Sequence, residues 1–274
     1  MSPADPSVDR LFAGSIPEIY DAYLVPLIFE VYASDLARRA AECEPGEILE
    51  TAAGSGVVTR ALAPLLRNDA RYVVTDLNQP MLDRAARRQA PDGRILWRQA
   101  DALTLPFAEE SFDAVVCQFG AMFFSDRVRA YNEARRVMKP NGRFLFNVWD
   151  RIEANDFACV VTDALGAMFP ADPPRFLARI PHGYHDVDEI AADLQAAGFS
   201  TFEIETLEKP SDALTARLPA VAYCQGSPLR NEIEARDPTA VEAATARAVE
   251  ALAKAFGDGP ISGRMRGHVI EATA

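Results

Sequence analysis

Between residues 46 and 150 short apolar runs alternate with segments patterned as helices, and this alternation constrains the chain more than any other feature. Gly46 to Ala52 (GEILETA) reads as a strand and runs into a glycine-rich turn at Ala53 to Gly56. Val57 to Leu66 then repeats apolar residues at helical spacing, with Val58, Leu62 and Leu65 or Leu66 on one side. Arg71 to Asp76 is a second strand; Asn78 suits a helix cap and Pro80 a first turn, and that helix stops before Pro91 and Gly93. Arg94 to Gln99, Ser111 to Gln118 and Arg143 to Trp149 are further strands. The fourth is apolar almost throughout, as a parallel strand covered on both faces must be. A helix from Asp126 to Met138 and a turn at Lys139 to Gly142 lead into the fifth. Strands separated by helices imply right-handed βαβ units and a parallel sheet.

Outside this region the rhythm changes. Residues 18–43 read as helical, with Pro26 as a break or restart. Residues 151–181 mix helical pattern with Pro170, Pro173, Pro174 and Pro181. Asp186 and Glu189 resemble a capping box for a helix that ends at Ala197-Gly198. Thr201 to Leu207 is a sixth strand, 212–257 is mostly helical, and Gly263 to Ala272 alternates as a closing, antiparallel strand. The expected fold is therefore α/β, a doubly wound, mostly parallel seven-stranded sheet with helical lid insertions. The expected organisation is a helical segment at 1–45 covering the ligand site, a binding core at 46–150, and a lid insertion at 151–185. A core helix and strand at 186–210, a second helical lid at 211–260 and the closing strand at 261–274 complete it.

The 28 Lys and Arg residues against 40 Asp and Glu leave a formal charge of −12, which repels phosphate backbones and anionic lipid. Arg87, Arg88 and Arg94 read as a solvated helix face and its following loop. Cys43, Cys117, Cys159 and Cys224 lie far apart without C-x-x-C spacing, and the histidines share no ligand spacing, so no metal site is expected. Met1 to Arg10 lacks the pattern of a signal peptide, and the apolar stretch Tyr23 to Ala33 is too short to span a bilayer and holds Glu30. A cytoplasmic protein without membrane insertion is expected.

Open α/β sheets bind ligands at the carboxyl ends of their strands, where the strand order reverses. Four loops qualify: Glu50 to Gly56, whose glycines permit a sharp turn and close ligand approach; Asp76, whose carboxylate can accept from a ribose diol; Asp101 with Ala102; and Gln118 with Phe119. The Gly-x-Gly does not extend to the dinucleotide pattern, because Thr59 stands at the third glycine position. As a spaced set, ILETAAGSGVVTR (48–60), VVTDLNQPML (73–82), QADALTLPF (99–107), FDAVVCQFG (112–120) and MKPNGRFLF (138–146) resemble the class I S-adenosylmethionine-dependent methyltransferases. The similarity is to the broad group that includes the ubiquinone/menaquinone biosynthesis enzymes. It covers residues 45–150, with weaker similarity at the N-terminal helix and at 194–199.

The resemblance implies S-adenosylmethionine as cofactor and assigns residues to it. Glu50 would help hold the methionine ammonium through water or the loop, and Thr51, Ala53, Gly54 and Gly56 would line the methionine and ribose. Asp76 would bind the ribose hydroxyls, and Leu77 and Met81 would sandwich the adenine. Asp101 would accept from the adenine amine beside the Ala102 amide. The Gln118 carbonyl would meet the ammonium, and Tyr20 would close over the cofactor. Asn141 departs from the family, which has a second glycine in the turn before the fifth strand; asparagine also tolerates a left-handed turn.

Methyl transfer from a sulfonium is an in-line displacement, so alignment and exclusion of water matter more than activation. A base is needed only where the acceptor must lose a proton. His182, His185 and Tyr184, in PHGYHD, are the candidates, and Asn147, Trp149 and Asp150 at the end of the fifth strand could face the acceptor. Tyr223 and Cys224 read as core of the second insertion and His268 as structural. Phe157, Phe169 and Phe176 suggest a partly hydrophobic small-molecule acceptor. The competing readings are a regulator that binds the cofactor without turnover and, with less support, an NAD-dependent oxidoreductase.

Overall fold

Backbone amides of an apolar run can be buried only if another strand pairs with them. The computed structural model describes residues 16–274 and meets that demand with seven strands in one sheet. They are β1 (Glu47–Glu50), β2 (Arg71–Asp76), β3 (Ile95–Gln99), β4 (Phe112–Gln118), β5 (Met138–Trp149), β6 (Thr201–Ala213) and β7 (Ile261–Thr273). Their order is β3-β2-β1-β4-β5-β7-β6. β1, β2, β3, β4 and β5 pair in parallel, and β7 runs antiparallel to β5, from Arg143 opposite Thr273 to Trp149 opposite Gly267. The order reverses between β1 and β4.

The helices are α1 (Ile16–Ile19), α2 (Glu30–Glu42), α3 (Val57–Leu62), α4 (Gln79–Arg88), α5 (Arg127–Val137), α6 (Asp156–Met168), α7 (Phe176–Arg179), α8 (Val187–Ala196), α9 (Arg217–Gln225), α10 (Leu229–Arg236) and α11 (Val241–Phe256). Two bodies emerge. A sheet unit holds 30–149, 184–207 and 267–274, and a helical unit holds 150–183, 208–266 and the described residues up to 29.

In the sheet unit alternate strand residues face opposite layers. On one face Ile48, Tyr72, Val74, Ala114, Val116 and Leu145 pack with Ala33, Leu36, Ala37 and Ala40 of α2 and Val58 and Leu62 of α3. Elsewhere Phe144 stacks on Phe146 at 4.7 Å between ring centroids, and Tyr131 of α5 meets both. In the helical unit α11 packs on α6 and α9, and Phe157 meets Phe256 edge to face at 5.2 Å. No helix among the described residues is long and apolar enough to cross a membrane.

Several local expectations change. Pro26 does not break the helix: Tyr20–Phe29 winds as a π-helical stretch between α1 and α2, a wider coil that accommodates the missing proline donor. β5 starts at Met138 rather than Arg143, so the Lys139 to Gly142 turn is an irregularity within the strand, with Asn141 left-handed at φ 64°. Lys139 ion-pairs with Asp113 at 2.8 Å, and Asp113 in turn accepts the amides of Gly46 and Glu47, pinning the start of β1 to β4. Asp186 caps α8 through the amide of Asp188, but Glu189 reaches Arg127 at 2.7 Å instead of closing a capping box. The helix after the glycine turn ends at Leu62; a tight turn containing Pro64 follows, with Leu66 buried and Leu65 exposed.

Candidate functional site

The turn after β1 is left-handed at three positions, with φ 51° at Ala52, 56° at Gly54 and 78° at Gly56. Its backbone is tied to both neighbouring strands: the Thr51 amide donates to the Val116 carbonyl at 2.9 Å and the Ala53 amide to the Thr75 carbonyl at 3.0 Å. Gly56 opens α3, and a Cβ there would lie 2.8 Å from the Cβ of Ala85 in α4. Thr51 and Ala53 are buried in this turn.

Asp76 closes the same corner. One carboxylate oxygen accepts the Gly54 amide at 2.8 Å and the other the Asn78 amide at 2.7 Å. Burial pushes this carboxyl above its ordinary value, against the opposing pull of the two amides. Leu77 follows with half its surface exposed, while Met81, one turn into α4, is buried. The Ala100 amide donates to the Asp76 carbonyl at 3.1 Å, which joins the loop after β3 to the same corner. There Asp101 is exposed and uses one carboxylate oxygen to accept the Leu103 amide at 2.9 Å; Ala102 is half-buried. Gln118, half-buried, ends β4 opposite Asn147 of β5. Gly54, Asp76, Asp101 and Gln118 thus all stand at the carboxyl ends of adjacent parallel strands.

Glu50 is different. It is buried beneath the turn, and its Oε2 accepts hydrogen bonds from the Thr59 hydroxyl at 2.6 Å and from the Tyr72 hydroxyl. Burial lifts its carboxyl to about 7, against the pull of those hydroxyls. Sequence reasoning did not find Thr59 and Tyr72 as its partners, although their positions, third in α3 and second in β2, carry that geometry in retrospect. Tyr20 belongs to the helical unit, where its ring lies 5.2 Å from that of Phe29.

The base candidates separate on inspection. Tyr184 is buried in the sheet unit, donates to Asp193 at 2.9 Å, accepts from Tyr131 at 3.3 Å and carries the Arg127 guanidinium 4.0 Å above its ring. Burial pushes its hydroxyl well above the ordinary value, so it is a poor proton acceptor or donor near neutrality. His185 is half-buried. His182, buried in the helical unit, donates from Nδ1 to the Asp150 carbonyl at 2.8 Å, which makes Nε2 the basic nitrogen of the ring. The Asp150 carboxylate pairs with Arg266 at 2.5 Å. Tyr223, Cys224 and His268 are buried. Burial pushes the Cys117 and Cys224 thiols up to about 12, so neither is a thiolate nucleophile. Among the described residues no three His, Cys, Asp or Glu side chains gather as a metal site.

This arrangement matches a known family. The methyltransferase domain family matches residues 49–146. The demethylmenaquinone methyltransferase of Clavibacter sepedonicus is 30% identical over 175 residues, which span 58% of this chain and 68% of that protein. The chain belongs to the class I S-adenosylmethionine-dependent methyltransferases. Solved structures share the fold of this methyltransferase. The YcgJ protein of Bacillus subtilis superposes with a TM-score of 0.56 at 20% identity, covering 89% of this chain and 98% of its own. A Haemonchus contortus phosphoethanolamine N-methyltransferase 2, solved with S-adenosyl-L-methionine, superposes with a TM-score of 0.62 at 16% identity over 99% of this chain and 60% of its own. The methyltransferase is thus an S-adenosylmethionine-dependent enzyme, and its seven-stranded sheet is the Rossmann-like sheet of these neighbours.

Proposed function

We propose that this methyltransferase binds S-adenosylmethionine on the loops after β1, β2, β3 and β4 and transfers its methyl group to an oxygen, nitrogen or carbon of a partly hydrophobic small molecule in the cytoplasm. The observation that carries the donor site is the Gly54–Asp76 hydrogen bond of 2.8 Å, which joins the glycine turn to an acid supported by backbone amides. Each Asp76 oxygen keeps a lone pair beyond the one its amide uses, enough for two ribose hydroxyls. The half-exposed Leu77 offers apolar surface to the adenine, and Met81 backs it from α4. The second oxygen of Asp101 suits the adenine amine, with the Ala102 amide beside it. The Gln118 carbonyl suits the ammonium, and Thr51, Ala53, Gly54 and Gly56 line the methionine and ribose. Glu50 acts from behind the turn, through Thr59 and Tyr72.

When bound, S-adenosylmethionine supplies a methyl on a sulfonium, a leaving group that requires no activation by protein. The loops therefore have to orient it and keep water away. A base is required only where the acceptor must shed a proton; in His182 the bond from Nδ1 to the Asp150 carbonyl makes Nε2 the basic nitrogen. The 30% identity to the demethylmenaquinone methyltransferase of Clavibacter sepedonicus supports a hydrophobic acceptor. Calorimetry with S-adenosylhomocysteine tests the donor site: binding by wild type is expected. Folded protein that binds neither it nor S-adenosylmethionine overturns the reading. Labelled donor incubated with a metabolite extract then reports the acceptor.

A further inference from the structure

The turn that follows β4 is built on an unfavourable residue. Phe119 is left-handed at φ 47°, a conformation a bulky side chain adopts only under constraint. The constraint comes from β5. The Phe119 amide donates both to the backbone carbonyl of Asn147 at 3.1 Å and to its side-chain Oδ1 at 2.9 Å. Two residues on, Trp149 stacks against the Phe119 ring at 3.8 Å with the planes 7° apart, and Tyr32 meets both rings edge-on at 5.3 and 5.2 Å. Asn147 is fully buried, and its Nδ2 makes no hydrogen bond among the described residues. An apolar side chain of the same shape would fill that space without the cost of an unmet donor. What it would lack is the oxygen that holds Phe119.

The next residue shows what the constraint achieves. A Cβ on Gly120 would lie 2.5 Å from the Cβ of Ala52 and 2.8 Å from the Cys117 sulfur, so the β4 turn presses directly on the β1 turn. Ala52 is itself left-handed, and the two strained turns support each other.

We infer that Asn147 is a positioning residue: it latches Phe119 in the left-handed conformation that aims the Gln118 carbonyl at the amino-acid end of the methyl donor. This rests on the donor-site reading above, and Asn147 itself touches no ligand. Its effect should fall on one end of the donor only. The test compares S-adenosylhomocysteine with 5′-methylthioadenosine, which has the same nucleoside but no amino-acid group. In N147L, S-adenosylhomocysteine affinity is expected to fall by about tenfold or more, as for a hydrogen bond to a charged group, with methylthioadenosine within about threefold of wild type. N147D, which keeps an oxygen in place, is expected to restore affinity.

Equal loss of both compounds by folded N147L, or no loss of either, overturns the latch and leaves the donor site standing. Wild type that binds neither compound overturns the donor site itself. Should N147L not fold, hydrogen exchange of the wild-type Phe119 amide decides: slow exchange, slowed further by S-adenosylhomocysteine, supports the latch, and fast exchange indifferent to it overturns the latch.

Discussion

Asp76 in the sheet unit ends β2 and Asp150 in the helical unit follows β5, yet the two are held in opposite ways. Asp76 is supported by the amides of Gly54 and Asn78. Asp150 is neutralised by the Arg266 guanidinium, and Asn155 gathers the carbonyls of Asp150, Arg151 and Arg266 around it. A carboxylate fixed by backbone amides keeps its charge and orientation for a ligand, whereas one closed by a guanidinium is committed to holding the fold. The glycines differ in the same sense. Gly56 of the sheet unit has no room for a Cβ, while Gly257 of the helical unit, left-handed at φ 103°, has nothing within 4 Å.

Four experiments bear on this contrast. The largest effect is expected from Gly56→Ala, about 2–4 kcal/mol of unfolding free energy, because backbone strain and overpacking against Ala85 add. Gly257→Ala should lose only the strain, so equal losses in denaturant titrations would erase the contrast. Next, Asp150→Ala should cost about 2–4 kcal/mol of stability by stranding Arg266, which is partly exposed. Asp76→Ala should instead weaken S-adenosylhomocysteine by about 1–3 kcal/mol in calorimetry. A swap of those outcomes would refute the division between ligand-ready and structural acids.

The third concerns Glu50. Its carboxyl sits at about 7 in the folded chain, above its unfolded value, so the fold binds the extra proton. Its stabilising contribution is complete below the ordinary carboxylate range, fades as pH rises from there and is lost once pH passes about 7. Wild type should therefore lose about 1 kcal/mol per pH unit relative to Glu50→Gln across that window. Parallel pH profiles would remove the buried proton from the account. The smallest effect belongs to Tyr184→Phe, about 1 kcal/mol of stability for the lost Asp193 bond, with unchanged S-adenosylhomocysteine affinity. A large loss of methyl transfer at full stability would restore Tyr184 as a proton-transfer residue.

Strand and helix periodicity made the sheet unit legible, because each apolar run between turn signals can pair in few ways. β1 to β5 lie where alternation placed them, to within a few residues apart from the early start of β5. The helical unit was less readable: its helices pack all round on one another, and residues 212–257 divide into three helices whose limits the pattern alone did not mark. Turn chemistry placed Gly54 and Gly56 in the tight turn after β1, because left-handed backbone there calls for glycine. Nothing local announced that Glu50 would lie under Thr59 and Tyr72, or that Asn147 would seize Phe119, because those partners come from different strands and helices.

The order of apolar runs and turns along the chain was thus enough to determine a doubly wound sheet and the loops at its carboxyl edge, since both depend on spacing between near neighbours. Which acid is held by backbone amides and which is sealed by a guanidinium was decided only when distant segments met. A carboxylate's charge and freedom depend on what surrounds it in space, and for Glu50, Asp76 and Asp150 those surroundings are supplied in part by residues 9 to 116 positions away.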